Sequence, residues 1–295
     1  MKNISFLMVL VALTLQFTSS AHAHGTAGNR VFPPTLTVDD PSVADELSLP
    51  TFSHQRQNAA PDGSSPSIRT SDLGIEWDKR ITENLGIGFN ADYLWIAPSG
   101  DVTQRGWDNV SLTLKYLAYV NPDHEFMTSV GVSHEFGDTG AKQIASSFGS
   151  TTPKLYFGKG LGDLPIGYLR PLAITGLVGY TVFETNDSDT HNEWNFGWTV
   201  QYSIPYLQQH VVDLGLPSFI AKMTPVIEFN VTSDQFGPAT GTIAPGVLYT
   251  DKAWQFGVEA LIPYNRASNT DIGVIAQFHL FLDDLFPHSL GKPIF

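Results

Sequence analysis

Apolar and polar positions alternate along most of this chain. Leu85, Ile87, Phe89, Ala91, Tyr93 and Trp95 are separated by Gly86, Gly88, Asn90 and Asp92. Successive side chains of an extended strand point to opposite faces, so this spacing gives one face of large apolar groups and one of small or polar groups. Val110, Leu112, Leu114, Tyr116 and Ala118 oppose Asn109, Ser111, Thr113 and Lys115 in the same way. The pattern recurs at 194–204, where Trp194, Phe196, Trp198 and Val200 oppose Asn195, Gly197, Thr199 and Gln201, and again at 219–231, 254–262 and 272–282. Weaker copies are predicted near 71–79, 125–136, 153–160, 167–183 and 242–250. Residues 46–54 add a strand at the start, with Pro50 admissible only at an edge or a bulge. The expectation is an all-β chain of about twelve antiparallel strands, within a range of ten to fourteen; an even number puts both ends of the ring on one side.

Alternation also describes soluble sandwiches and lipocalin-like barrels, whose apolar face turns inward. Three features turn it outward here. The non-apolar face is built from Gly, Ser, Thr, Asn and Gln with scattered charges, which suits a watery lumen better than a Lys- and Glu-rich soluble surface. Trp77, Tyr93, Trp95, Trp194 and Trp254 fall on the apolar face near predicted strand ends, as in the aromatic girdles of membrane barrels. Connections alternate between tight (81–84, 121–124, 161–165, 251–253) and long and polar (57–66, 98–105, 137–150, 184–192, 233–241). Short periplasmic turns and longer external loops have this asymmetry. Two connections break it: 208–217 is long on the short side, and 266–270 is short on the long side.

The start of the chain agrees with that placement. Lys2, an apolar run from Ile4 to Leu15 and an Ala21-His22-Ala23 site have the form of a secretory signal, so residues 1–23 are expected to be removed on export. The apolar run is too short to cross about 30 Å of hydrocarbon as a helix. Only 15% of residues are charged, and the net charge is −13, which disfavours a nucleic-acid partner. There is no cysteine, so stability must come from burial and a closed hydrogen-bond network. With no later stretch of helical spanning length, a closed barrel over 46–284 is the one membrane architecture left. Residues 24–45 do not alternate and read either as a periplasmic arm or as a segment tucked into the lumen. Residues 285–295 form a tail beyond the last strand. The expected surroundings are the lipids and assembly machinery of a Gram-negative outer membrane, with a small-molecule solute and no cofactor.

The candidate functional groups are ionisable residues on the lumen face: Glu76, Asp78, Asp92, Lys115, Glu135, Lys222, Glu228, Glu259 and His279. Rings of charge set selectivity in a water-filled pore, and the acidic excess predicts mild cation preference. In a narrow barrel the same groups can instead form ion-pair networks that plug it. Covalent chemistry has thinner support. No Gly-x-Ser-x-Gly elbow is present, although Ser133 and His134 are adjacent and some barrels hydrolyse lipids with such a pair. His124-Glu125 and His134-Glu135 lack the second His of a zinc protease motif. Asn186, Asp187, Ser188 and Asp189 offer oxygen ligands without EF-hand spacing, and His24 would be a copper-clamping amino terminus only with a partner in space.

The signal sequence, the repeated amphipathic strands and a terminal hairpin running into Gln277-Phe278-His279-Leu280-Phe281-Leu282-Asp283-Asp284 resemble the barrel proteins grouped as the MetA-pathway of phenol degradation, or transporter-like, family. The resemblance spans about residues 46–284 and implies an outer-membrane barrel that passes small, hydrophobic or aromatic molecules. Phe295 also resembles the terminal aromatic read by the outer-membrane assembly machinery, although Gly291-Lys292-Pro293 interrupts the alternation before it. The rival readings are a lipid-acting barrel enzyme and a closed structural or adhesion barrel.

Overall fold

The computed structural model describes residues 25–59, 65–185, 187, 190–234 and 236–295. The predicted signal sequence, His24, and Asn186, Ser188 and Asp189 of the loop with oxygen ligands lie outside the described residues. Two short strands, β1 (Thr26–Ala27) and β2 (Arg30–Val31), pair with each other. The long strands follow in chain order: β3 (Glu46–Gln57), β4 (Ile68–Arg80), β5 (Leu85–Pro98), β7 (Ser111–Asn121), β8 (Phe126–Glu135), β9 (Ser150–Gly160) and β10 (Leu172–Phe183). They continue with β11 (Glu193–Tyr202), β12 (Met223–Ser233), β13 (Thr240–Thr250), β14 (Trp254–Pro263) and β15 (Gly273–Phe281). Each is antiparallel to its neighbours, β3 pairs with both β4 and β15, and β4 also pairs with β5, so twelve strands close into a ring. A closed ring leaves no unpaired edge, which is what a sheet surrounded by lipid requires.

The exposure pattern along each strand is inverted relative to a water-soluble protein. On β11, Trp194 and Trp198 are 50% and 39% exposed, while Thr199 between Trp198 and Val200 is 0% exposed. On β7, β8 and β9 the outward Leu114, Val130, Val132 and Leu155 are exposed, whereas Ser129 and Tyr156 are buried. Burying Thr and Gln while leaving aliphatic and aromatic side chains bare is costly in water and favourable when the outer medium is hydrocarbon. The inward hydroxyls satisfy one another: Thr175 with Thr199 at 2.6 Å, Thr152 with Thr181 at 2.9 Å and Thr113 with Ser133 at 2.8 Å.

Several boundaries differ from the sequence expectation, each for a local reason. The strand expected at 219–231 begins at Met223, because Ser218–Ala221 after Pro217 forms a helical turn. The strand expected from 167 begins at Leu172, after a turn over Gly167–Leu169 and Pro171. The external segment after Pro98 contains a further short strand, β6 (Gln104–Trp107), which extends the sheet on the upper half of β5. Pro50 sits where the register of β3 against β4 slips between Ser48 and Thr51, so a bulge accommodates its missing N–H. The connection 203–222 carries short helices over Ile204–Tyr206, Leu207–Val211 and Ser218–Ala221. No helix among the described residues is long and apolar enough to cross a membrane.

Phe295 is not the end of a strand. After β15 the chain turns through Leu282–Leu285 and runs back along the rim. Its backbone donates from Ile294 to the Arg80 carbonyl (3.3 Å) and from Phe295 to the Ile81 carbonyl (3.0 Å), leaving the Phe295 side chain 89% exposed.

Candidate functional site: the barrel lumen

Residues 25–45 lie inside the ring. From the rim that carries the β7–β8 turn the segment rises to the middle of β12 and returns to the start of β3. Its apolar side chains need floor space on a polar wall, and glycines supply it. A Cβ placed on Gly257 would lie 2.5 Å from Leu36 Cδ1, and one on Gly197 would lie 2.9 Å from Val38 Cγ1. Part of the small-residue face read from the sequence as lining for water is therefore a seat for this hairpin.

Polar contacts fix the hairpin at its base and apex. At the base, the buried Arg30 guanidinium lies 3.1 Å from the Glu125 carboxylate and donates to the Pro171 carbonyl at 3.0 Å. The Tyr206 hydroxyl donates to the same Glu125 at 2.7 Å, and its ring lies 3.9 Å from the guanidinium. Burial lowers the Arg30 pKa, against the pull of Glu125, while burial and the bond to Glu125 push the Tyr206 hydroxyl up to about 12. Glu125 takes a left-handed backbone conformation, φ 47°, at the β7–β8 turn, which brings its carboxylate to this pair. On the returning limb Asp45 receives Lys79 at 2.6 Å and Arg80 at 2.7 Å. The same Lys79 and Arg80 donate to the Leu290, Lys292 and Gly291 carbonyls of the tail, joining the returning limb to the C-terminal tail at one rim.

At the apex, Glu228 of β12 accepts from the backbone N–H groups of Leu36 (2.7 Å), Thr37 (2.9 Å) and Val38 (2.6 Å) and from the Thr37 hydroxyl (2.8 Å). Consecutive N–H groups converging on a carboxylate form an anion-holding concavity. Across the lumen, Lys115 of β7 lies 2.7 Å from Asp39 and 3.0 Å from the Asp40 carbonyl, above the Tyr156 ring. Burial pushes the Asp40 carboxyl up to about 6, whereas Lys115 and Lys154 outweigh the same burial at Asp39 and hold it below the usual range. Between hairpin and wall a cleft of about 180 Å³ remains, lined by Asp39, Asp40, Glu76, Asp78, Lys115 and His279.

The structure thus brings Glu76, Asp78, Lys115 and His279 to one cleft and Glu228 to another face of the hairpin, with Glu259 buried beside Glu228. His279 lies 3.1 Å from Glu46 and bonds the Ser48 hydroxyl at 2.8 Å. Asp92 stands higher, near Asp72 and Asp108. Glu135 is at the upper end of β8, where Asn109 donates to it at 3.2 Å. Lys222 does not reach the lumen wall: it precedes β12 and pairs with Asp251 at 2.8 Å at the rim. Sequence reading missed Arg30, Glu125, Tyr206, Asp45, Lys79 and Arg80. Their partners are distant in the chain, so period-two spacing carries no trace of them; the acidic Asp39-Asp40 beside a lumen lysine was the available signal.

Ser133 and His134 do not form a pair. They occupy successive positions on β8 and face opposite sides, Ser133 bonded to Thr113 and His134 to the Thr151 hydroxyl at 2.9 Å. Among the described residues no group of His, Cys, Asp and Glu is arranged to hold a metal ion.

A closed antiparallel ring with an apolar exterior and a polar interior is the fold of the outer-membrane β-barrels. No family model matches the chain, and no curated protein does. Among solved structures the chain is similar to the COG4313 outer membrane channel from Pseudomonas putida F1. That likeness has 12% identity and a TM-score of 0.53, and covers 85% of this chain and 99% of that one. A KdgM porin aligns at 13% identity over 79% of this chain and 97% of its own, with a TM-score of 0.46. At these identities the likeness is one of fold.

Proposed function

We propose that this chain is a passive channel of a Gram-negative outer membrane, admitting small molecules around a hairpin of its own that narrows the lumen at mid-height. The observation that carries the reading is the inverted burial of the strands, with Thr199, Gln201 and Gln255 turned inward and Trp198, Phe196 and Phe256 bare on the outside. Such an interior suits water and solute, and the cleft beside Lys115 leaves space between hairpin and wall. Its carboxylates, Asp39, Asp40, Glu76 and Asp78, support mild preference for cations over anions of equal size. The fold shared with a barrel described as an outer membrane channel supports passage through the lumen, and the resemblance to the phenol-degradation group supports hydrophobic or aromatic molecules among the solutes.

Planar-bilayer recording on refolded protein tests this. Small, cation-favouring currents are expected from the full chain, and larger ones from a chain lacking residues 25–45. Silence from both removes the channel reading. A sealed structural barrel is the second reading, favoured by how completely Glu228 and Arg30 hold the hairpin; current only after deletion would select it.

A further inference from the structure

We infer that the rim carrying the C-terminal tail has a binding site for small carboxylates with an aliphatic or aromatic body, set between the lumen hairpin and the helical connection 203–222. The inference goes beyond the channel reading: it places a ligand site at the rim, apart from the cation-favouring cleft of the lumen.

The connection 208–217 was the one long segment on the side of tight turns, and the structure gives it a use. With the hairpin and the β13–β14 turn, the connection encloses a cavity of about 490 Å³, in the range that holds small organic ligands. Its apolar side comes from Val31, Pro33 and the ring of Tyr206. That ring is rigidly placed, stacked under Arg30 and tied through its hydroxyl to Glu125.

Two observations specify what an occupant must offer. Gln208 accepts from the Leu214 N–H at 3.3 Å, which fixes its amide, and its Nε2 is then buried with no acceptor. A buried donor left unmade is costly, and a turn of the Gln208 side chain towards the cavity would let an oxygen of the occupant satisfy it. The charge around the cavity is also opposite in sign to the chain as a whole, whose net charge is −13. Lys222, Lys252 and His210 line it, and its one acidic lining residue, Asp251, is already paired with Lys222 at 2.8 Å. The Lys222 bond holds the Asp251 carboxyl below the usual range, so the pair stays ionised and Lys252 is left to meet a ligand charge. An apolar body with a carboxylate head answers each requirement; an alcohol lacks the charge, and an amine is repelled.

The test uses the full refolded chain in detergent, with benzoate and hexanoate as probes and benzyl alcohol and benzylamine as uncharged and cationic counterparts, read by saturation-transfer NMR and calorimetry. Both carboxylates are expected to bind saturably, at least about tenfold more tightly than the alcohol or the amine. Replacing Lys222 and Lys252 together with Met is expected to weaken benzoate at least about tenfold, and Gln208→Leu several-fold, with β-sheet circular dichroism and heat-modifiable migration unchanged. Equal binding of all four probes, or binding indifferent to these substitutions in a folded variant, overturns the site. Bilayer currents from the same preparation separate the two claims. Carboxylate binding without conductance keeps the site and discards the channel, while conductance without binding discards the site alone.

Discussion

Lys115 on the barrel wall grips Asp39 of the lumen hairpin at 2.7 Å, from a strand almost opposite the one that carries Glu228. The hairpin apex is therefore spanned by two unlike bonds, a cation holding a carboxylate on one wall and a carboxylate holding amide groups on the other. Either bond can be cut separately.

Lys115→Met should release the apex on the β7 side while keeping the stem of the side chain. Breaking a largely buried pair leaves Asp39 with Lys154 as its only lysine, at a cost of about 2 kcal/mol to hairpin docking. Single-channel current is expected to rise, with the barrel's heat-modifiable migration on gels retained. An unchanged current would mean the hairpin does not obstruct the lumen.

Glu228→Ala removes the acceptor shared by Leu36, Thr37 and Val38. Leaving these donors unmade should cost about 1–3 kcal/mol. Hydrogen exchange across 30–45, followed by mass spectrometry, should accelerate at least about tenfold. Glu228→Gln keeps one acceptor oxygen and should accelerate it less. Equal exchange in wild type and Glu228→Ala would count against the nest as an anchor.

Docking should also depend on pH, with a sign set by Asp40. Its carboxyl is raised to about 6 by burial, so the docked hairpin binds more protons than the released one. The contribution of Asp40 is fully present below the usual carboxylate value and is lost as pH rises towards 6. Asp39, held low by its lysines, acts oppositely and loses its contribution only at more acid pH. Open probability in bilayers is therefore expected to increase between about pH 4 and 6, and Asp40→Asn should flatten that rise. A rise that survives Asp40→Asn assigns the titration elsewhere.

The outward face can be tested without reference to transport. Leu114→Arg places a charge on the exposed apolar side of β7 and should cost about 2–4 kcal/mol of folding stability in lipid vesicles. Urea titration of vesicle-folded protein reads this directly. A variant as stable as wild type would put the hydrocarbon boundary elsewhere.

The ring itself was legible in the sequence because one face of each strand repeats every second residue, from Leu85 through Phe278. Even the doubtful first strand was recoverable, since Pro50 found the bulge it needs. The hairpin's place was not legible. Residues 25–45 have no period, and their partners Glu125, Lys115 and Glu228 lie far along the chain, where only closure of the ring brings them near. Lys222 was misplaced because the alternation was begun at Phe219, inside a segment that folds as a helical turn. The lumen charges were identified as a set, but their division into hairpin anchors and cleft lining depends on which wall each strand occupies.

The seam between β3 and β15 has a consequence for biogenesis. Because the first long strand mates with the last, the cylinder cannot close before β15 has been delivered. The stretch leading directly into β3 is tethered to one margin of that seam, so its enclosure is expected to accompany the sealing of the wall.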